Sequence, residues 1–440
     1  MNFGILTSKL FKKTLVVFTL LVGLNSVYAT DPIPLSKWTA TSGHTVQAEV
    51  LSIKGTEVTM KNEGGRIIKL PISKLIDSDQ ERIKEHFDLS DADLLYTTSG
   101  IPQASDLAYP LGEIQGPITV SDEASYILYL PKSLKEKRNA PLLYLSMPFG
   151  VENEELAKFI PIAEVLGWII AGSPDSKDSA GVQVSIERND DCLNHLTNNL
   201  PIDHTRIHYT GVSNGGSMAF YNTTTAKAYG VMPDGGYIKR NTNEQTKLVY
   251  GLGGATDYNR YVTAYAAHKY KKEGFHRFNE KGHFPAPIEH KEDGIFWMHC
   301  HYLAFLGSSL KKEKMDFEAS ALAWLIEMKE DQPERAYSNA TYLKELYDLR
   351  GQNKRHLDDL LRELSKDEDN ELYHKGLVAI SDFSKEYLFA LGATGGSKID
   401  FEDPENAKYV KKKLVPYYGE VELLKPIIEG LQNRTASLNN

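Results

Sequence analysis

The chain has 440 residues, 41% hydrophobic and 25% charged, which is ordinary globular composition with room for two or three domains. A formal net charge of −9 argues against general nucleic-acid binding. Two cysteines, Cys192 and Cys300, are too few for a disulfide framework.

Residues 1–29 read as a secretory signal peptide. Lys9, Lys12 and Lys13 form a positive n-region, Thr14 to Leu24 an apolar h-region, and Val27-Tyr28-Ala29 a cleavage site. The apolar run is too short to span a bilayer comfortably. The expectation is a secreted or periplasmic protein with no stable membrane span after cleavage; the competing reading is an uncleaved anchor. Cleavage removes three lysines and no acid, moving the net charge from −9 to near −12.

Residues 35–90 form a first unit. Thr45–Ile53, Glu57–Lys61 and Arg66–Leu70 alternate apolar and polar residues as half-buried strands do, with Lys54-Gly55 and Glu63-Gly64-Gly65 as turns. A helix is expected over Ser78–Phe87. The segments Lys37-Trp38-Thr39, Ala48-Glu49-Val50, Val58-Thr59-Met60-Lys61 and Leu70-Pro71-Ile72-Ser73-Lys74-Leu75 resemble the SLA-homology module, a small SH3-like β-barrel. The resemblance implies a binding or spacer role toward a protein or surface, without catalysis. A β-rich cap packed on the next domain is the alternative.

Residues 91–114 carry Gly, Pro and Ser without periodicity and read as a linker. From 115 to 308 the pattern alternates strands with helices. Strands are expected at Ser125–Leu130, Pro141–Ser146, Trp168–Ala171, Arg206–Thr210, Gly230–Met232, Lys247–Leu252 and Phe275–Asn279. Helices are expected at Glu154–Leu166, Val184–Leu200, Tyr258–Lys271 and from Ile288. This alternation predicts an α/β fold, a mostly parallel sheet covered on both faces. Cys192 and Cys300 then fall on opposite faces as buried small hydrophobes. Residues 309–440 are helical and charged, with helices at Phe317–Met328, Leu377–Leu391 and Leu423–Leu431. Leu357, Leu360, Leu361 and Leu364 make a stripe that reads as core.

The chemistry concentrates at Gly211-Val212-Ser213-Asn214-Gly215-Gly216, between a β-branched strand and an apolar helix. G-x-S-x-G alone occurs by chance in roughly one chain in seven of this length; its setting makes it a nucleophile elbow. A serine hydroxyl needs a base, and the base an orienting acid. His283, in Glu280-Lys281-Gly282-His283-Phe284-Pro285, lies in a loop past a strand, whereas His276 and His290 fall within a strand and a helix. Asp257 follows the Lys247–Leu252 strand and is the favoured acid, although an Asp there also suits a helix cap. Asp234, after the preceding strand, is the rival.

Asp203–Gly216, Gly253–Asp257 and Gly282-His283 together look like the α/β-hydrolase superfamily, within it the polyhydroxybutyrate-depolymerase and feruloyl-esterase-like group. The likeness covers about residues 115–308 and implies eight strands and a Ser213–His283–Asp257 triad. Such enzymes carry a His-Gly pair after the third strand, in a loop that donates an oxyanion N–H. Here the loop reads Leu145-Ser146-Met147-Pro148-Phe149-Gly150, and Pro148 has no N–H to give. The oxyanion donors expected are Asn214 and a loop amide at or near Phe149.

The sequence thus predicts an exported serine hydrolase, a carboxylic ester hydrolase working through an acyl-enzyme, on an ester that is free or linked to a polysaccharide or polymer. The alternatives are a peptidase of the same fold and an inert hydrolase-like binding protein. The chemistry requires no metal or organic cofactor. His299-Cys300-His301 with His290 is no metal site, because helix positions two apart do not share a face. Asn222-Thr223-Thr224, Asn339-Ala340-Thr341 and Asn433-Arg434-Thr435 match the glycosylation pattern, idle behind a bacterial-looking signal peptide.

Overall fold

The computed structural model describes residues 32–87, 107–236, 246–305, 311–389, 414 and 421–432, less 42, 55–56, 108, 137–139, 226–227, 247, 270–273 and 348. The expected signal peptide, residues 1–29, and residues 91–106 of the expected linker lie outside them. The chain divides into two compact units, Met1–Ser99 and Gly100–Asn440.

The first unit is an antiparallel sheet of four strands in chain order, β1 (Ile33–Thr39), β2 (Thr45–Lys54), β3 (Glu57–Asn62) and β4 (Ile67–Pro71), with a helix α1 (Asp77–His86). Period two sends Ala48 and Val50 of β2 and Val58 and Met60 of β3 to one face, where they bury around Trp38. The Trp38 indole N–H donates to the Ala48 carbonyl at 2.8 Å, and Arg82 of α1 sits 3.7 Å from the ring centroid. These two contacts satisfy the only polar atom of the buried indole and hold α1 against the sheet.

The second unit contains an eight-stranded sheet. Its strands are β5 (Ile114–Thr119), β6 (Ser125–Tyr129), β7 (Ala140–Ser146), β8 (Ile169–Gly172), β9 (Ile202–Val212), β10 (Gly230–Asp234), β11 (Leu248–Gly254) and β12 (Gly274–Asn279). The spatial order is β12-β11-β10-β9-β7-β8-β6-β5. All pairs are parallel except β5–β6 and β6–β8. This is the mostly parallel sheet of the α/β-hydrolase fold. Strand β7 shows why it forms: all seven residues are buried, Leu142 and Tyr144 in one apolar cluster, Leu143 and Leu145 in the other. A strand buried on both faces loses the alternating pattern and reads as a continuous apolar run.

The first of these faces is covered by α4 (Val182–Asn199), α5 (Asn214–Thr225) and α6 (Arg260–His268), through residues such as Cys192, Leu196, Phe220 and Ala266. The other is covered by α2 (Asn153–Ala157), α3 (Ile160–Leu166) and α7 (Ile288–Phe305). One helix had been expected over Glu154–Leu166. Two form because Pro161, at the start of α3, lacks the N–H a continuous helix needs. Strand β5, absent from the strands expected, is an edge strand interrupted by Gly116-Pro117, which hides its pattern.

The C-terminal helices α8 (Lys311–Asp331), α9 (Pro333–Leu346), α10 (Gly351–Leu364), α11 (Glu368–Phe383) and α12 (Lys425–Gln432) join the α7 side of the core. Leu357, Leu360 and Leu364 are buried there. A buried polar network ties these helices to the sheet. Arg277 of β12 pairs with Asp293 of α7, which also accepts from Arg335 and Asn339 of α9 at 2.7 Å each. Helix α9 was not foreseen because its buried face carries Arg335, Ser338 and Asn339 beside small alanines.

Candidate active site

Strand β9 ends at Val212 and helix α5 starts at Asn214, so Ser213 sits alone on the turn. Its φ of 54° is the only positive value at a non-glycine among the described residues. Such a conformation is strained for a residue with a Cβ and persists only where the surroundings enforce it. Here the enforcement is local. A Cβ on Gly211 or Gly215 would collide with the Ser146 carbonyl of β7, so glycine at both positions lets the turn close against that strand. The Ser213 N–H donates to the Asp234 carbonyl at the end of β10, 2.7 Å away.

Ser213 Oγ lies 2.8 Å from His283 Nε2. The other ring nitrogen, Nδ1, is 3.1 Å from both Asp257 oxygens. Asp257 is 2% exposed, and its Oδ1 also accepts the Asn259 N–H at 2.7 Å. Those bonds leave Nδ1 as the protonated donor and Nε2 free to accept from the serine. The Asp257 hydrogen bond, and then its charge, raises the His283 pKa above the ordinary 6.5, against the opposing effect of burial; the charge of Asp234 adds to the rise. The Tyr258 ring packs 4.6 Å from the imidazole, centroid to centroid.

The rival residues are engaged elsewhere. The Asp234 carboxylate accepts the Ala286 N–H at 2.8 Å and pairs with Lys291 of α7 at 3.1 Å. His276 Nδ1 lies 2.6 Å from the Ser384 hydroxyl, fully buried. Burial holds the pKa of His276, and that of His290, well below 6.5. His299 lies 2.9 Å from the Trp168 indole N–H, which donates to it.

On the oxyanion side, Asn214 opens α5, where backbone N–H groups have no helical partner. Its side chain donates to Asp178 at 2.9 Å, and the Asp178 N–H donates to the Pro148 carbonyl at 2.8 Å. In the loop after β7, the Gly150 amide is committed to Met147 and that of Val151 to Ser173. Pro148 has no amide proton, so the loop donor expected from the sequence narrows to Met147 or Phe149. Asp178 and Lys291 had no signal in the sequence, because each meets its partner only through the fold.

These groups line a cavity of about 240 Å³ walled by Pro148, Phe149, Asp178, Val212, Ser213 and His283, with Asp234, Gly235 and Phe284. Phe149 is 84% exposed and Phe284 67%, so apolar rings stand open at its mouth.

No protein-family model matches the chain, and no curated protein matches it. Solved structures similar to it include esterases. Est1E from Butyrivibrio proteoclasticus is 14% identical over 40% of this chain and 93% of its own, with a TM-score of 0.32. A hyperthermophilic esterase from the archaeon Pyrobaculum calidifontis is 10% identical over 42% and 78%, at 0.33. The thermostable carboxylesterase EstE1, cloned from a metagenomic library, is 12% identical over 48% and 88%, at 0.32. The fold itself is defined by the strand order and register of the sheet.

Proposed function

We propose that the protein is a serine hydrolase of carboxylic esters. One observation carries the reading: an unbroken hydrogen-bonded chain from Ser213 Oγ through His283 to the buried Asp257, mounted on a strained turn beside an open cavity. In this mechanism Ser213 attacks the ester carbonyl while His283 Nε2 takes its proton. The Asn214 N–H and a loop N–H at or near Phe149 hold the oxyanion, a donor of this kind contributing about 3 kcal/mol to the transition state. His283 then protonates the leaving alcohol, and water, activated by the same imidazole, releases the acid. Asp257 fixes the tautomer and balances the imidazolium. Side chains and water complete the chemistry.

The small cavity of about 240 Å³ favours esters with a short acyl group. The open aromatic mouth suits a bulkier alcohol, including one on a polysaccharide or polymer. The signal-peptide pattern motivates export, and the first unit, in its SH3-like reading, would attach the enzyme to a protein or surface. Among the described residues no helix is long and apolar enough to cross a membrane.

The altered Pro148 loop favours one second reading, an inert hydrolase-like binder. A panel of p-nitrophenyl esters of rising acyl length, with matched peptide amides and a fluorophosphonate probe, separates the readings. Ester turnover falling with chain length supports the proposal. Amide cleavage at comparable kcat/KM would make the protein a peptidase. Failure to react with the probe would leave the binder.

A further inference from the structure

Asp234 touches both halves of the site. Its carbonyl accepts the Ser213 N–H at 2.7 Å, and its carboxylate Oδ2 accepts the Ala286 N–H at 2.8 Å. Ala286 lies three residues past His283 in Phe284-Pro285-Ala286-Pro287. Neither proline has an N–H, so Ala286 is the one position from 285 to 287 at which a side chain can grip the backbone by its amide. The prolines also confine Phe284 and Ala286 to extended backbone, which makes the loop a stiff lever with His283 at one end. Lys291, 6% exposed, completes the arrangement from α7 at 3.1 Å. Asp234 is 1% exposed, and a carboxylate buried that deeply needs such a counter-charge.

Resting on the hydrolase reading, we propose that Asp234 is a positioning residue, which with Lys291 fixes the His283 loop to the nucleophile turn so that the serine–imidazole distance is set before substrate arrives. The role differs from that of the acid: Asp257 orients the ring, whereas Asp234 orients the backbone that carries it. It also explains a second aspartate at the neighbouring strand end. A misplacement near 1 Å at a catalytic group costs about a hundredfold in rate, which is the scale of what the clamp protects.

The test uses the full chain and a soluble short-acyl ester. Asp234→Ala should lower kcat about 10- to 100-fold with KM within about twofold. Asp234→Asn keeps an acceptor for Ala286 and should retain kcat within about threefold. It should also move the acid limb of the pH–rate profile downward, because one of the charges facing His283 is gone. The other titratable groups around the ring remain: Asp257 and Tyr258 beside it, Glu280 and Lys281 on its own loop, Asp178 across the cavity, and Lys291 behind Asp234. Hydrogen exchange of a peptide covering 280–288 gives a readout independent of turnover, faster in Asp234→Ala and close to wild type in Asp234→Asn. Should Asp234→Ala not fold, Asp234→Leu/Lys291→Met removes acceptor and charge pair together and makes the same comparison. Equal losses in the alanine and asparagine variants, with exchange unmoved, would overturn the proposal. So would a loss in Asp234→Ala matching that in Asp257→Asn, since Asp234 would then be the acid itself. A wild-type protein without esterase activity would overturn the hydrolase reading instead, leaving the exchange comparison to judge the clamp.

Discussion

Arg277 of β12 donates to the hydroxyl of Tyr373 in α11 at 2.9 Å, joining the last strand of the sheet to a helix 96 residues later. Arg277 is buried, so it depends on Asp293 and Tyr373 for its hydrogen bonds. The C-terminal helices are therefore part of the core that holds the His283 loop.

Removing residues 309–440 should leave an insoluble or unfolded chain, because Arg277 loses Tyr373, Asp293 loses Arg335 and Asn339, and the α7 side of the core is laid open. Breaking a buried charge network costs about 3–5 kcal/mol, a large share of a typical domain's stability. A chain starting at Gly100 should fold and hydrolyse a small ester within a few-fold of wild type. Circular dichroism and turnover on both chains check this. A soluble, active chain ending at 308 would contradict it.

Ser213→Gly should abolish turnover yet raise the melting temperature. The hydroxyl is the nucleophile of the proposed mechanism, so less than about 1% of activity should survive. The φ of 54° strains serine and not glycine. Relief of about 1 kcal/mol is expected, less the entropy glycine adds to the unfolded chain. Ser213→Ala keeps the strain and should be equally inactive without the gain. Calorimetry on the pair isolates the backbone effect.

Asp257→Asn should reduce kcat by about 10⁴ on the precedent of the triad aspartate, because an amide facing Nδ1 favours the wrong tautomer. The protein should remain folded, since the oxygen of the introduced amide can still accept the Asn259 N–H that Asp257 accepts now. A loss below tenfold would move the acid elsewhere.

The pH profile follows from His283. The base must be neutral to act, and its pKa is raised above 6.5 by Asp257. Activity should therefore rise with pH through a midpoint above 6.5 and fall away on the acid side. Stability runs the other way. A group whose pKa is higher folded than unfolded contributes stability that is complete below 6.5 and lost as pH rises through the folded value. Against His283→Gln, the wild type should gain relative melting temperature toward pH 6 while kcat/KM declines. Parallel trends in the two measurements would contradict the assignment.

How far the sequence foretold this molecule depends on whether a feature is local. The turn at Ser213 was legible because sterics there demand glycine on both sides, and chain order pointed to Asp257 and His283. The continuous apolar run of β7 announced a strand buried on both faces. Helix α9 was hidden because Arg335 and Asn339, which serve Asp293, interrupt the apolar stripe of its inner face, and β5 because Gly116 and Pro117 interrupt its alternation. The pairing of Asp234 with Lys291, and of Asp178 with Asn214, joins residues 57 and 36 positions apart that no pattern connects.

The two cysteines offer one more consequence. Cys192 lies on the inner side of α4 on one face of the sheet and Cys300 on that of α7 on the other, both free of disulfides and fully buried. Burial pushes the Cys192 thiol up to about 12 and that of Cys300 higher still. Only the thiolate reacts with an alkylating reagent, so neither is modified until its own helical layer lifts from the strands. The molecule thus carries an internal clock on each side, and their relative rates report whether the two layers peel away together or in turn.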